Sequence, residues 1–294
     1  MISSRMLADV MSMSDWVMPP AGIGKASMSQ VSPLGCKYMK TGHRHRPGQF
    51  WAGCLCLIFL FSGCALPTNA PLKSLFYPRP LDDGSRGLIV FLRGWSGSNT
   101  DFAENGFVAA VNRRRLPFAM IAPDAHRGYY IGETLVPRLK HDLIEPSKIS
   151  GYSPVWLAGV SMGGLGALMY LRAHPEDIAG VCLISPFLGY PGIISEISAA
   201  GSLTAWDPGQ FDPRKDWERM LWAWLKETVA AGKIRAPIYL GYGDKDSFLR
   251  AHQLLAQALP ADHVRRVPGG HDPETMIQLW ALFLDSPALH NNSR

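Results

Sequence analysis

The sequence predicts an α/β fold, in which helices cover both faces of a mostly parallel β-sheet. From Leu88 onward, short continuous apolar runs alternate with segments whose apolar residues recur at helical spacing. Continuous apolar runs are typical of strands that are buried on both faces, as strands of parallel sheets are. Glycine and polar residues follow these runs, and right-handed crossovers bring such positions together at one edge of the sheet.

The elements alternate in the order strand, helix, strand. The predicted strands cover residues 88–92, 118–122, 155–158, 181–184, 237–243 and 264–267. The predicted helices cover about residues 101–115, 133–144, 165–171, 248–259 and 273–284. An insertion at about residues 187–236 contains Trp206, Trp217, Trp222 and Trp224, and the helical spacing of residues 216–230 predicts a small helical cap. We expect core packing to explain most of these aromatic residues, and a wall for an apolar acyl or aryl group is the alternative.

The N-terminal residues differ in composition from the rest of the chain. Residues 39–63 combine a basic start, an apolar run and small residues, a pattern that predicts a secretory signal peptide. The end of this segment, Leu60–Cys64, resembles the bacterial lipobox, and the resemblance implies that Cys64 is acylated. Acyl chains on Cys64 anchor a protein to a membrane without a spanning helix. Ala65 suggests sorting to the outer membrane, facing the periplasm of a bacterial cell envelope.

These features divide the chain into segments. We interpret residues 1–38 as a non-native or disordered extension before the true start at Met39, and residues 64–86 as a tether with at most one edge strand. Residues 87–285 are predicted to form the α/β domain, and residues 286–294 a disordered tail.

Charge and cysteine content exclude several classes of function. Of the 29 basic and 24 acidic residues, 6 and 2 precede Cys64, which leaves 23 basic and 22 acidic residues. A nearly neutral mature chain gives no indication of a nucleic-acid partner. Only Cys64 and Cys182 survive processing, so a disulfide framework is not predicted. Histidine and cysteine pairs at metal-ligand spacing are missing from the mature sequence, so neither metal nor cofactor is predicted. Oligomeric state stays open.

The stretch from Pro154 to Arg172 carries the strongest chemical signal. It contains a G-x-S-x-G pattern, Gly159–Gly163, between an apolar strand and a helix. A serine hydroxyl is a weak nucleophile and requires exposure at a strand end beside a base. Glycines two residues before and after Ser161 relieve crowding in so tight a turn. The helix that follows aims free N–H groups at the serine oxygen. Ser161 is therefore the candidate nucleophile.

Residues 87–285 resemble the α/β-hydrolases, a family that places an acid and then a histidine downstream of the serine. Asp246 follows one predicted strand and His271 follows the next, so the resemblance implies a triad of Ser161, Asp246 and His271. Asp244 is the alternative acid. His126 is the rival base, but it precedes the serine.

The resemblance also implies an oxyanion hole. Its donors would be the backbone N–H of Met162 and that of Trp95 in the turn after the first predicted strand. Where the family usually has His-Gly, this chain has Arg93-Gly94. Arg93 either braces the loop or holds an acidic group of the substrate.

Together these features predict a lipid-anchored serine hydrolase that cleaves a small-molecule carboxylic ester through an acyl-enzyme. An acyltransferase or a peptidase uses the same triad and is the nearest alternative. A non-catalytic protein of the same fold that binds an envelope partner is a third interpretation, and the intact triad argues against it.

Overall fold

The computed structural model describes residues 67–79 and 86–290, which belong to one compact unit. Its strands are β1 (Ser74–Tyr77), β2 (Gly87–Leu92), β3 (Phe118–Pro123), β4 (Val155–Val160), β5 (Gly180–Ile184), β6 (Ile238–Gly243) and β7 (Val264–Val267). They form one sheet in the order β1-β3-β2-β4-β5-β6-β7. β1 runs antiparallel to β3, and all the other neighbouring strands are parallel. The mostly parallel sheet that the sequence predicts is confirmed.

Helices connect the strands. They are α1 (Asp101–Glu104), α2 (Phe107–Arg113), α3 (Arg127–Ile131), α4 (Leu135–Leu139), α5 (Glu145–Ile149), α6 (Met162–Ala173), α7 (Pro191–Ala199), α8 (Trp217–Leu225), α9 (Leu249–Ala256), α10 (Pro273–Leu284) and α11 (Pro287–His290). A π-helical turn, Lys140–Ile144, joins α4 to α5, and a second, Lys226–Ala230, extends α8.

Both faces of the sheet are buried, and β2 shows why its sequence is apolar throughout. Leu88, Val90 and Leu92 pack into the hydrophobic cluster on one face, whereas Ile89 and Phe91 pack into the cluster on the other. Successive side chains of a strand point to opposite faces, so helices on both faces require apolar residues at every position. The layers therefore are helix, sheet and helix.

The prediction of one continuous helix at residues 101–115 is wrong. It is divided into α1 and α2 at Gly106, whose φ of 83° lies in the left-handed region. A residue in that conformation ends one helix, and glycine adopts it without steric cost. The break lets Phe102 and Phe107 reach the same cluster as β2, with their rings 5.5 Å apart.

The insertion between β5 and β6 contains two helices, α7 and α8. The sequence predicts α8 but not α7, which begins at Pro191. Two hydrogen bonds join the helices, because Arg219 donates to both carboxylate oxygens of Glu196 at 2.6 and 2.7 Å. Trp206 and Trp222 are fully buried here, which confirms that core packing accounts for these two tryptophans.

The segment predicted as a tether is described over residues 67–79, and these residues are held on the domain. The backbone N–H of Asn69 donates to the hydroxyl of Tyr129 at 2.8 Å, and that of Leu72 donates to Asp142 at 2.8 Å. Leu72 is buried, and β1 then adds the edge strand. At the other end, Leu289 of α11 is buried, so packing continues past residue 285.

Several predictions lie outside the described residues. They are the extension at residues 1–38, the signal peptide at residues 39–63, the acylated Cys64, and the last part of the tail, residues 291–294. Across residues 67–79 and 86–290, every helix is too short or too polar to cross a bilayer.

Candidate active site

The turn between β4 and α6 places Ser161 at the carboxyl end of the central strand. Ser161 adopts φ 52° and ψ −117°, a conformation that residues other than glycine rarely occupy. Both neighbouring glycines are required by close backbone contacts. A Cβ at Gly159 would overlap the carbonyl of Gly163, and a Cβ at Gly163 would overlap the carbonyl oxygen of Leu92. The sharp turn thus depends on side-chain-free positions on both sides of the serine.

His271 connects Ser161 with Asp246. Its Nε2 lies 3.1 Å from Ser161 Oγ, and its Nδ1 lies 3.0 and 3.2 Å from the two carboxylate oxygens of Asp246. Because a carboxylate only accepts, Nδ1 carries the proton and Nε2 is free to accept the proton of the serine hydroxyl. The structure therefore brings together the three side chains that the sequence predicts to form the triad. The arrangement is that of a nucleophile, a base and a group that orients the base.

Asp246 is a buried carboxylate whose environment favours its charge. Burial opposes ionisation, but the hydrogen bond with His271 and the backbone N–H of Phe248, 2.8 Å from Oδ1, hold the pKa of Asp246 below its ordinary value. A negative charge beside Nδ1 stabilises a protonated imidazole.

Asp244 has a different partner. Its Oδ1 accepts the backbone N–H of Gly269 at 3.1 Å, two residues before His271. Asp272, on the other side of the histidine, caps α10 by accepting the N–H of Thr275. These two carboxylates hold the loop that presents His271.

The two predicted oxyanion donors belong to residues next to Ser161 and next to Gly94. Met162 is the first residue of α6, so its N–H has no acceptor within the helix. Gly94 lies against the nucleophile, since a Cβ there would stand 3.5 Å from the Cβ of Ser161. Trp95 follows in the same turn, and its backbone N–H makes no hydrogen bond to any described residue. Both predicted oxyanion donors thus neighbour the serine.

The sequence also matches a known protein family. The family model Esterase, described as "Putative esterase", matches residues 109–269, which is more than half of the chain. The chain belongs to the Esterase family. It is accordingly an esterase-type serine hydrolase. No curated protein matches the sequence.

Solved structures share the fold of this esterase. Est1E from Butyrivibrio proteoclasticus is 16% identical, with 76% of this chain and 95% of that chain covered and a TM-score of 0.54. An S-formylglutathione hydrolase from Staphylococcus aureus is also 16% identical, over 72% of this chain and 94% of that chain, with a TM-score of 0.49. The α/β-hydrolase fold that the sequence resembles is confirmed.

Arg93, for which two interpretations were open, braces the loop of the esterase. Its guanidinium donates to Asp124 at 2.8 Å, and this pair links the ends of β2 and β3. His126, the rival base, accepts the backbone N–H of Gly128 at 3.1 Å and caps α3. The acidic-substrate interpretation of Arg93 finds no support in this geometry.

The sequence reasoning missed His252, a fully buried histidine in α9. Its Nε2 lies 2.8 Å from the carbonyl of Pro186 and therefore donates to it, while its Nδ1 has no hydrogen-bond partner among the described residues. Pro186 in turn packs on the turn at Gly164. His252 thus ties the helix after Asp246 to the nucleophile turn. Its position on the apolar face of the predicted helix indicated that it is buried. Periodicity does not indicate which residue it hydrogen-bonds.

Burial sets the protonation of His252. Desolvation lowers its pKa to about 4, with the nearby Asp246 opposing this shift and His271 adding to it. The unfolded chain binds a proton more readily than the folded one, because an ordinary histidine has a pKa of about 6.5. Stability is therefore lost as the pH falls from about 7 toward 4.

We expect His252→Gln to reduce this pH dependence. Glutamine keeps an N–H donor for Pro186 but does not titrate. The wild type should lose about 2 kcal/mol more unfolding free energy than the variant between pH 7 and pH 5. Urea unfolding at both pH values measures the difference, with the exposed His141→Gln as the control. An equal loss in wild type and His252→Gln would contradict a neutral, buried His252.

One group of side chains in the described ranges has the spacing of metal ligands, namely His174, Glu176 and Asp177. Its chemistry does not fit a cation. Asp177 accepts from the ammonium groups of Lys140 and Lys148 at 2.7 and 2.8 Å. Although burial raises the pKa of Asp177, these bonds bring it down to about 2. The carboxylate is already neutralised, so this group is an ion-pair cluster.

Proposed function

We propose that this esterase hydrolyses carboxylic esters of small molecules through an acyl-enzyme formed on Ser161. Ser161 Oγ attacks the carbonyl carbon while its proton passes to His271 Nε2. The tetrahedral intermediate collapses, the bond to the alcohol oxygen breaks, and the alcohol leaves with the proton from His271. Water then attacks the acyl-enzyme with His271 as its base, and the acid is released as Ser161 regains its proton.

In this proposal Asp246 fixes the tautomer of His271 and stabilises the imidazolium that forms twice in each cycle. The N–H groups of Met162 and Trp95 stabilise the developing oxyanion. The single observation that carries the proposal is the continuous hydrogen-bonded line from Asp246 through His271 to Ser161, with distances of 3.0 and 3.1 Å.

Labelling with a fluorophosphonate probe tests the nucleophile without a choice of substrate. We expect the purified full-length wild type to be labelled and Ser161→Ala to lose all labelling. Ser247→Ala is the matched control, because Ser247 is an exposed serine next to Asp246 and should leave labelling unchanged. A folded Ser161→Ala variant that is still labelled would refute the proposed nucleophile.

We also propose that the enzyme is held in a bacterial cell envelope by acyl chains on Cys64, with the catalytic domain in the periplasm. The basic start, the apolar run Phe50–Phe61 and the lipobox-like Leu60–Cys64 support this location. In cell fractions, the labelled enzyme should appear with the outer membrane. Cys64→Ser should remove it from there, and an unchanged distribution would contradict the anchor.

A further inference from the structure

Four aromatic side chains form a continuous surface that begins at the catalytic histidine. The Phe248 ring lies 5.1 Å from the ring of His271, edge to face at 90°. Phe187 is next, 5.4 Å from Phe248, and it contacts Tyr190 at 5.3 Å and Trp217 at 6.1 Å. Tyr190 and Trp217 are 6.5 Å apart. We call Phe187, Tyr190, Trp217 and Phe248 the aromatic cluster.

Backbone hydrogen bonds fix the cluster to Ser161 and to Asp246. Phe187 follows β5, and its backbone N–H donates to the carbonyl of Ser161 at 2.9 Å. Phe248 lies two residues after Asp246, and its N–H donates to that carboxylate. Rings held by such backbone contacts keep a constant position relative to the reacting atoms, as a specificity surface requires.

Exposure distinguishes three of the four cluster residues from the buried tryptophans of the insertion. Trp206 and Trp222 are fully buried, and each indole N–H has an acceptor, Glu196 or the carbonyl of Leu188. Trp217 is partly exposed, and its indole N–H has no acceptor among the described residues. Phe248 and Tyr190 are also partly exposed, whereas Phe187 is buried. Trp217, Tyr190 and Phe248 therefore present aromatic surface to a ligand, whereas Trp206 and Trp222 belong to the core.

The sheet order determines which part of an ester meets the cluster. β2 lies on one side of β4, and β5, β6 and β7 lie on the other. Trp95 follows β2, so the oxyanion side of Ser161 faces away from the cluster. The proton of His271 Nε2 must reach the alcohol oxygen, so the leaving alcohol lies beside His271. The substituent on that oxygen is then the part of the substrate nearest to Phe248 and Phe187.

We infer that the aromatic cluster is the binding surface for the alcohol part of the ester and that this part is an aryl-bearing group. The inference rests on the proposed function. Aromatic rings bind other rings in offset or edge-to-face geometry and gain more than equal apolar area would give. The indole N–H of Trp217, which no described residue accepts, offers one donor to a polar substituent on that group.

Matched esters test the inference. Benzyl acetate and ethyl acetate share their acyl group and release alcohols of similar acidity, so their kcat/KM ratio reports binding of the alcohol part. We expect the wild type to prefer benzyl acetate and Trp217→Leu to reduce this ratio about fivefold. Trp224→Leu is the control, because Trp224 is partly buried two turns further along α8 and outside the cluster. Its ratio should equal that of the wild type.

Methyl phenylacetate and methyl acetate supply the reciprocal comparison, in which the ring is on the acyl side. Trp217→Leu should leave that ratio unchanged. The inference is refuted if Trp217→Leu keeps the benzyl preference, if Trp224→Leu loses it equally, or if the acyl-side ratio falls instead. Fluorophosphonate labelling distinguishes a failure of this inference from a failure of the proposed function. Labelled Ser161 without any benzyl preference refutes only the aromatic cluster as an alcohol site, whereas an unlabelled wild type refutes the proposed function itself.

Discussion

Asp246→Asn is expected to lower kcat about 10⁴-fold on an unactivated ester such as ethyl acetate, with KM little changed. The side chain of Asp246 is completely buried and bonds His271 Nδ1 at 3.0 Å. An asparagine amide offers an N–H there, which favours the wrong tautomer of His271, and it lacks the charge that stabilises the imidazolium. Steady-state kinetics of the purified variant measure the effect.

Asp244→Asn is the matched control. Asp244 is two residues away and half-exposed, and it accepts the N–H of Gly269 without contacting His271. Asparagine retains an acceptor for that N–H, so kcat should remain close to that of the wild type. Equal losses in the two variants would mean that the loop, and not the carboxylate at His271, sets the rate. A loss confined to Asp244→Asn would exchange the roles of the two acids.

Gly163→Ala is expected to reduce the free energy of unfolding by at least about 3 kcal/mol or to prevent accumulation of folded protein. A Cβ at Gly163 would overlap the carbonyl oxygen of Leu92, which belongs to a fully buried central strand. Neither backbone can retreat without displacing β2 or the start of α6. Urea unfolding followed by circular dichroism measures the loss.

The same substitution at Gly192 is expected to have the opposite effect on stability. Gly192 lies in α7, and a Cβ there would meet no atom within 4 Å. Alanine at an open helical position should stabilise the protein by about 0.5–1 kcal/mol. If Gly163→Ala were as stable as the wild type, the close contact between α6 and β2 would be contradicted.

Most of the sheet was predictable because the inner strands β2, β3, β4 and β5 are almost entirely apolar. Residues 88–92 were placed within one residue of β2, since such a run is distinct from the helical periods around it. β7 was also placed correctly, although its two middle residues are arginines. The break at Gly106 was not predicted, because a glycine inside a helical pattern is often tolerated there.

Pairings between distant segments were the part that the sequence did not predict. Chain order led to Ser161, Asp246 and His271, which the structure brings together, but the partner of Arg93 depends on β2 and β3 being neighbours in the sheet. The same holds for His252, which meets Pro186 from 66 residues away. The aromatic cluster joins the segment after β5, the start of α8 and the loop after β6. Composition alone therefore showed that the insertion is rich in tryptophan, but not which aromatic rings meet.

Because residues 67–79 are bound to the domain, they limit how far the domain can lie from the proposed lipid anchor at Cys64. Because the N–H of Asn69 is already bonded to Tyr129, only four residues, 65–68, lie between Cys64, the proposed acylation site, and the first fixed point of the domain. Fully extended, the chain from Cys64 to Asn69 spans at most about 18 Å. A domain on so short a tether would remain against the bilayer. It would hydrolyse esters that lie in the membrane surface or pass close to it.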